Sequence, residues 1–524
     1  MLRRIITVLA LLALPAGAWA VEWNTPLTDS VSIVETLRVN YDITNEDQEF
    51  WAIVNRLNVE ICKGSFIAGL RYDTEAYLLD EEYFVRYVPE KFYVQYYERP
   101  LLFRVGDSYV RFGQGLTLSL LKRDEFGEDT TVQGALFKLE HEYFEFETLV
   151  GPVNVGDDRR FGPERARTEE PGFFDERDLI WGARIMGGAP GVFRGGFAWV
   201  GGNLRAEQEG DLAQFDEDDD INLYSLMFEA PVIGSFGAAD GEYAWLEYTD
   251  NRDQRLGDIE YEGRGAHLAT TWYLGPVTLL AEGTDYFRFD YPYNDPPSME
   301  YPEESFGHLP NYDDAIGARG RVDYTIPGAE LGVFVNYTNI QTHEGIPLEL
   351  ADHYSSESPW LEWIEHTYGG FDRTFGNGLY LTGKGGYREA PEGRFVHGDI
   401  KVDTPIISPH SVNAEWRVKQ FHSFDETQFE DALTWSTALG YAWAPYVTLT
   451  GLYEWSDEPA VLELGARPDD DENFWAVEST IQPADWTRIS LAYGRYKGGL
   501  KCAGGVCRQI PPFEGFKSEF AFFF

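Results

Sequence analysis

The chain has 524 residues, a formal net charge of −46, an aromatic content of 15% and 53 glycines. So acidic a chain lacks the basic surface with which proteins bind nucleic-acid phosphates, and this argues against nucleic-acid binding. Beyond Val21, no apolar run approaches the roughly 18 to 20 residues that a membrane-spanning helix needs. The many aromatic residues and glycines are instead typical of membrane β-barrels, which use them at the lipid interfaces and in tight turns.

The N-terminus has the pattern of a secretory signal peptide. Arg3 and Arg4 precede an apolar stretch of about ten residues, which is too short to span a bilayer. The small residues Ala18 and Ala20 form a cleavage pattern, so we predict that residues 1–20 are removed after Ala20. The first mature residue is then Val21 and not a cysteine, which argues against a lipoprotein.

From about residue 31 onward, the chain repeats one unit: a strand of about ten residues, a tight turn, a second strand and a longer polar loop. Apolar and polar residues alternate within the strands, and in residues 65–73 one face carries Phe66, Ala68, Leu70 and Tyr72. Such alternation makes one face of a sheet apolar and the other polar. A soluble β-sandwich also shows this alternation, but its strands are shorter and its two sets of turns are less unequal.

Turns and loops separate to opposite ends of the predicted strands. Tight turns contain Gly, Pro or Asp, as at Gly64, Gly275 and Pro327, whereas the segment 456–473 is a long charged loop. This asymmetry matches the short periplasmic turns and long extracellular loops of outer-membrane barrels. We therefore predict an all-β fold for residues 21–524: a transmembrane antiparallel β-barrel of about 24 strands, within a range of roughly 18 to 26.

The acidic charge cannot lie on a lipid-facing surface, so we expect it in the lumen and in the loops. An acidic lumen would favour cations over anions. Acidic loops could hold divalent cations among anionic surface lipids, although the solubility of long loops alone accounts for most of the charge. The run from Asp216 to Asp220 has alternating acids like a calcium loop, but Ile221 stands where the turn glycine should be.

The last twelve residues, 513–524, alternate almost completely between an apolar and a polar face. The apolar face carries Phe516, Phe520, Phe522 and Phe524, and a soluble protein seldom ends in this way. The segment resembles the C-terminal signature strand of Gram-negative outer-membrane β-barrels. That resemblance implies recognition by the barrel-assembly machinery, with the four phenylalanines as the assembly signal. An edge or core strand of a soluble β-protein is the alternative.

Cysteines are sparse: Cys62, Cys502 and Cys507. A turn could bring the latter two together, and an exported protein meets an oxidising compartment, so we predict a disulfide before the final strand. Metal binding is the alternative, but no histidine and no second cysteine pair lie nearby in the sequence. We expect Cys62 to be a lone thiol.

The stretch 105–135 is the most distinctive part of the sequence. It contains Gly-Asp-x-Tyr at 106–109, Phe-Gly-x-Gly-Leu at 112–116 and Gly-x-Asp at 127–129. These motifs, and the paired cysteines, resemble a family of large outer-membrane barrels of unknown function, which implies an architecture but no activity.

The glycines of the stretch 105–135 permit bends that bulkier residues forbid, so the stretch could fold inward and narrow the lumen. The candidate constriction residues are Asp107, Arg111, Arg123 and Asp124. A kinked wall strand with a bulge is the alternative.

The sequence contains no haem-attachment motif, no nucleophile elbow and no zincin helix, so we expect neither an enzyme nor a cofactor. No plug domain precedes the first strand, which argues against a TonB-dependent transporter. We predict a porin-like channel for small cationic or neutral solutes, with outer-membrane lipid as its surroundings. The alternative is a scaffold barrel that docks a periplasmic redox protein or a surface partner. The sequence does not indicate an oligomeric state.

Overall fold

The computed structural model describes residues 29–43, 50–79, 82–123, 128–157, 178–204, 219–234, 236–250, 259–289, 291–297, 299, 315–343, 363–390, 393–424, 431–457, 473–497, 499–503, 506–510 and 512–524. The predicted signal peptide, Asp124 and the acidic segments 205–218 and 458–472 lie outside these ranges. No helix within them is long and apolar enough to cross a membrane.

The regular elements of the described ranges are strands. Their bounds are β1 Ser30–Asp42, β2 Phe50–Lys63, β3 Phe66–Leu79, β4 Glu82–Glu98, β5 Leu101–Ser108, β6 Val110–Phe112, β7 Leu118–Leu120, β8 Lys122–Arg123, β9 Glu128–His141, β10 Phe144–Asp157, β11 Leu179–Ala189, β12 Phe193–Leu204, β13 Asp219–Ile233, β14 Gly237–Asp250, β15 Ile259–Leu274, β16 Val277–Phe287, β17 Ala315–Ile326, β18 Leu331–Gln341, β19 Trp363–Thr374, β20 Tyr380–Ala390, β21 Gly393–Ile407, β22 His410–Ser423, β23 Ala432–Trp443, β24 Val447–Ser456, β25 Asn473–Ala484, β26 Thr487–Tyr496, β27 Gly499–Ala503, β28 Val506–Ile510 and β29 Phe513–Phe523.

Twenty-four of these strands form one closed antiparallel barrel. Most pair with their neighbours in the chain, while β5 pairs directly with β9. The final strand β29 pairs with both β26 and β1, where Phe520 lies opposite Leu37, and this closes the barrel. Of the remaining strands, β6–β7 and β27–β28 are separate hairpins and β8 extends only the end of β9. The predicted all-β barrel of about 24 strands is confirmed.

The two ends of the barrel differ as predicted. At one end the connections are tight turns, as between β2 and β3, where Gly64 has a φ of 55°, and between β15 and β16, where Gly275 has a φ of 69°. Glycine adopts this left-handed backbone at no steric cost. The long connections lie at the other end. Both β1 and β29 have their terminal ends on the side of the tight turns, as an even number of strands requires.

The outer face of the barrel is apolar. Large apolar side chains at alternate positions are exposed there, including Phe66 and Leu70 of β3, Val335 of β18 and Tyr493 of β26. These are the faces that alternation in the sequence predicted to be apolar. In the terminal strand Phe516, Phe520 and Phe522 are half-buried, and Phe522 stacks on Trp486 with ring centroids 6.5 Å apart. Recognition of this strand by the assembly machinery stays a prediction.

Candidate lumen constriction

The barrel wall splits where β5 ends. β5 pairs with β4 as far as Gly106 and with β9 as far as Ser108, and the chain then turns into the lumen as the hairpin β6–β7. We call residues 110–120 the inner hairpin. Its tip uses Gly113 and Gly115, with φ values of 57° and 97°, so the glycines of the sequence motif do permit the bend. The inner hairpin returns to the wall through β8 and β9.

The inner hairpin is held against the lumen side of the wall by apolar contacts. Phe112, Leu116, Leu118 and Leu120 are completely buried. They pack in one cluster with lumen-facing residues of β11 to β14: Ile180, Met186, Ala198, Val200, Leu223, Ala244 and Leu246. Burying one such side chain stabilises a structure by about 1.5 to 3 kcal/mol, so the four residues hold the hairpin firmly.

Glu242 of β14 provides a polar anchor within this apolar interface. Its carboxylate is 3% exposed and accepts hydrogen bonds from the backbone N–H of Gln114 and the hydroxyl of Thr117, each at 2.6 Å. The Thr117 hydroxyl also lies 2.6 Å from the Ser225 hydroxyl, and the Gln114 amide donates to Asp240 at 2.9 Å. A buried carboxylate is tolerated when donors surround it, and here the donors belong to the hairpin tip.

A second segment of the chain folds onto the inner hairpin. After β16, the described residues 289, 291–297 and 299 run along the inner hairpin, and we call them the strap. The backbone N–H of Ser119 donates to the carbonyl of Tyr293 at 2.7 Å, and that of Asp295 donates to the carbonyl of Gly115 at 2.8 Å. The Tyr293 hydroxyl donates to Asp178. Burial raises the pKa of the neighbouring Tyr291 phenol well above its ordinary value.

The sequence motifs meet at the neck of the inner hairpin. Asp129, from Gly-x-Asp, accepts hydrogen bonds from Tyr109, of Gly-Asp-x-Tyr, and from Arg71, both at 2.5 Å, and from Lys91. Arg71 also pairs with Asp73 at 2.7 Å. These charged side chains are nearly buried, so each depends on its partners to offset the loss of water. The cluster fixes the point at which the chain leaves the wall.

Asp107 lies within the wall at the split. Its carboxylate is 4% exposed and accepts hydrogen bonds from the backbone N–H of Phe92 on β4 at 2.8 Å, from Thr131 on β9 at 2.8 Å and from Asn154 on β10 at 3.0 Å. The Asn154 amide also donates to the carbonyl of Glu90 at 3.0 Å. These side chains therefore satisfy backbone groups of β4 that a neighbouring strand would otherwise pair with.

The other predicted constriction residues are spread along the hairpin. Arg111 is exposed on β6 and donates to the carbonyl of Gln114. Arg123 belongs to β8, with its side chain outside the described set, and Asp124 is not among the described residues. The four residues therefore do not form one described group, and their part in a constriction stays a prediction.

The residues that hold the hairpin in place were missed by the sequence analysis. Glu242 is one of four acidic residues in β14, but it shares a face with Ala244 and Leu246, which is unusual for a carboxylate. The strap follows β16 and has no strand pattern, but its Tyr291 and Tyr293 give a usable signal because exposed loops seldom concentrate aromatic residues. In β12 and β13, apolar residues occur at consecutive positions of the sequence. This pattern indicates that the lumen-facing side of these strands is apolar as well as the outer side.

Elsewhere the described lumen side carries charges of both signs. Arg319 pairs with Glu282 at 3.1 Å, Arg321 pairs with Asp323 at 2.7 Å, and Arg184 pairs with Glu147 at 3.0 Å. Much of the acidic excess belongs instead to sequence segments outside the described residues, such as 205–218, 300–314 and 458–472. Within the described residues, no group of three or more His, Cys, Asp or Glu could hold a metal ion.

The three cysteines lie in β2 and in the β27–β28 hairpin. The thiol of Cys62 is free, and its Sγ lies 4.0 Å from a carboxylate oxygen of Glu60. Cys502 and Cys507 lie directly opposite each other in the β27–β28 hairpin. The predicted disulfide between them stays a prediction.

A closed sheet with an apolar outer face satisfies all its backbone groups internally, which a lipid environment requires. Paired charges on the inner face suit water. The chain is an outer-membrane β-barrel. Residues 464–524 match the profile of DUF6029, a family of unknown function, which covers the paired cysteines and the last strand of this barrel. None of the curated proteins matches the sequence.

Several solved outer-membrane barrels are similar to this barrel. The siderophore receptor PirA from Pseudomonas aeruginosa matches over 95% of this chain and 81% of its own, with 7% identity and a TM-score of 0.47. The translocation pore of the P pilus usher PapC matches over 94% and 99%, with 8% identity and a TM-score of 0.39. OccK5 (OpdH) from Pseudomonas aeruginosa matches over 80% and 99%, with 13% identity and a TM-score of 0.38. At these identities the likeness concerns the barrel fold alone.

Proposed function

We propose that this outer-membrane barrel is a porin-like channel for small cationic or neutral solutes, and that the inner hairpin narrows its lumen. The hairpin inside the lumen carries this proposal. It is anchored by buried apolar residues, by Glu242 and by the strap, so it is a built part of the lumen and not a loose loop. Such a constriction limits the size of the solutes that pass.

The charge distribution supports a modest preference for cations. On the described lumen side, acidic side chains pair with basic ones. The acidic excess of the sequence belongs largely to the predicted loops. Charges in loops attract cations toward the mouth of a channel over roughly one screening length, which falls from about 10 Å at 0.1 M to about 3 Å at 1 M salt. The cation preference should therefore be strong in dilute salt and weak in concentrated salt.

Recordings in planar bilayers test the proposal. The purified protein should conduct ions, and its reversal potential in a salt gradient should indicate cation selectivity that declines as the salt concentration rises. Removing the acidic segment 205–218 should reduce this selectivity without closing the channel. A correctly folded protein that conducts no ions would reject the channel. Selectivity that persists in concentrated salt would place the responsible carboxylates in the lumen instead.

A further inference from the structure

One histidine on the lumen side of the wall is buried without a hydrogen bond. His267 of β15 is 8% exposed, and its Nδ1 bonds to no group in the described part of the chain. It lies directly opposite Glu242 of β14, but that carboxylate accepts from donors of the hairpin tip instead. A buried polar atom without a partner is uncommon, because it gives up its bond to water and gains none in return. Such an atom is the first sign of a site for a ligand.

Two acidic side chains lie on either side of β15, one lumen-facing position nearer the periplasmic turn. Asp240 of β14 and Glu282 of β16 are both directly opposite Ala269, which is two residues from His267 and therefore on the same face. Neighbouring strands are about 4.8 Å apart, so the backbones of Asp240 and Glu282 are about 10 Å apart, with only the methyl group of Ala269 between them. The histidine and the two acids thus surround one small residue.

Each of the two carboxylates has an oxygen with which to accept a further hydrogen bond. The side-chain amide of Gln114 donates to Oδ2 of Asp240 at 2.9 Å, and Arg319 donates to Oε2 of Glu282 at 3.1 Å. Because a carboxylate accepts at both of its oxygens, Oδ1 of Asp240 and Oε1 of Glu282 remain as acceptors. Both side chains are half-buried, so water and solutes in the lumen reach them.

The charge around Ala269 is negative. Arg319 balances Glu282, whereas Asp240 has no basic partner among the described residues. Glu229 of β13 is exposed and lies directly opposite Asp240 on the same lumen-facing side. Like charges that face each other across two strands repel, and a bound cation relieves this repulsion. The group that bonds here is therefore a cation.

The arrangement suits an ammonium group better than a metal ion. Within the described residues, no group of three or more His, Cys, Asp or Glu could hold a metal ion. An ammonium group bridges wider spaces, because each of its hydrogen bonds spans about 2.9 Å, whereas bonds from zinc to its ligands are about 2.0 to 2.3 Å long. A primary ammonium group has three N–H donors, which equals the number of acceptors around Ala269.

We propose that Asp240, His267 and Glu282 bind a primary ammonium group beside the tip of the inner hairpin. This inference rests on the proposed channel function and names a substrate class for it: small primary alkylamines in their protonated form. The two carboxylates each accept one N–H of the ammonium group, and Nδ1 of His267, with the ring proton on Nε2, accepts the third. Because Gln114 of the hairpin tip bonds to Asp240, the site lies at the constriction.

Isothermal titration calorimetry of the purified full-length protein in detergent tests the site without requiring conduction. Propylammonium chloride is the probe, and tetramethylammonium chloride is its control, because it has the same charge but no N–H donor. In His267→Phe the ring nitrogens are lost, and in Asp240→Asn the charge is lost while an amide oxygen still accepts from Gln114. The matched control is Glu229→Gln, which removes one charge from the position opposite Asp240. Heat-modifiable migration in electrophoresis confirms that each variant forms the barrel.

We expect propylammonium to bind the native protein and tetramethylammonium to bind at least about tenfold more weakly, because hydrogen bonds to charged groups contribute more than a tenfold change in affinity. His267→Phe and Asp240→Asn should each weaken propylammonium binding at least about tenfold for the same reason, and Glu229→Gln should change it only slightly. Equal binding of the two cations to the native protein would overturn the site, and so would an affinity that is unchanged in folded His267→Phe or lost equally in Glu229→Gln. A native protein that does not bind propylammonium would overturn it as well. Propylammonium binding by a folded protein that conducts no ions in planar bilayers would instead reject the channel and leave the site.

Discussion

Replacement of Glu242 by Leu tests whether the inner hairpin is held by a buried acceptor. In the native protein this carboxylate accepts from the N–H of Gln114 and the hydroxyl of Thr117, both at 2.6 Å. Leucine adds apolar contact but accepts nothing. The hydroxyls of Thr117 and Ser225 still bond to each other at 2.6 Å, whereas the backbone N–H groups of Gln114 and Leu116, which both bond to Glu242, lose this acceptor in a buried site. An unsatisfied buried donor costs about 1 to 3 kcal/mol, which gives about 2 to 6 kcal/mol for the two together.

The apolar contacts of the hairpin contribute more free energy of stabilisation than the loss of these hydrogen bonds removes. Phe112, Leu116, Leu118 and Leu120 are completely buried and contribute about 1.5 to 3 kcal/mol each, or about 6 to 12 kcal/mol together. Glu242→Leu should therefore leave the hairpin inside the barrel most of the time. Because about 1.4 kcal/mol changes an equilibrium tenfold, we expect the fraction of time with the hairpin released to rise by at least about 30-fold.

Single-channel recording measures this fraction as the time spent in a larger conductance level. Glu242→Gln is the matched control, because its amide oxygen still accepts a hydrogen bond and its shape is unchanged. It should fall between the native protein and Glu242→Leu. Heat-modifiable migration in electrophoresis confirms that each variant forms the barrel. Native gating in the Leu variant, or equal gating in the Gln and Leu variants, would refute the role of the buried acceptor.

Three further predictions follow from the same structure. Thr117→Cys/Ser225→Cys, in a Cys62→Ser background, should form a disulfide because the native hydroxyls are 2.6 Å apart. The oxidised protein should then lose any larger conductance level that the reduced protein shows. Substitution of Leu491, on the outer face, by Arg should destabilise the barrel by about 2 to 4 kcal/mol if this position lies near the bilayer midplane. Arginine at position 490 should be tolerated. Urea titration in lipid vesicles measures both effects. Equal effects at the two positions would contradict the assigned faces. Deletion of Phe524 should prevent assembly, and normal amounts of membrane-inserted protein would contradict this.

The barrel itself could be predicted from the sequence because its rules are local. Alternation over ten residues, as in β3, directly reports the lipid-facing side of a strand. Tight turns with glycine, as at Gly64, indicate which end of the barrel carries the short connections. The number of strands then follows from counting such units, and the count of about 24 agrees with the structure. The apolar alternation of the last strand likewise matches its place at the seam with β1.

The constriction was only partly predictable because its contacts are distant in sequence. The glycine motif indicated that residues 105–135 could bend inward, but it did not show which wall strands the hairpin contacts. Thr117 and Glu242 are separated by 125 positions, and no local pattern connects them. Asp107 looked like a lumen charge, yet its carboxylate bonds to the backbone of β4 within the wall. Its role there depends on the split between β4 and β9, and a split is a property of strand pairing that alternation cannot report.

In the proposed channel the inner hairpin narrows the lumen, and single-channel conductance measures this narrowing most directly. In the test variant, residues 110–120 are replaced by a short Gly-Ser linker that joins Tyr109 to Leu121 and leaves the 24 wall strands unchanged. The control variant carries the same linker in place of the loop segment 205–218. We expect a clearly larger unit conductance for the hairpin replacement and a native conductance for the loop replacement. An unchanged conductance in a correctly folded hairpin replacement would contradict the claim.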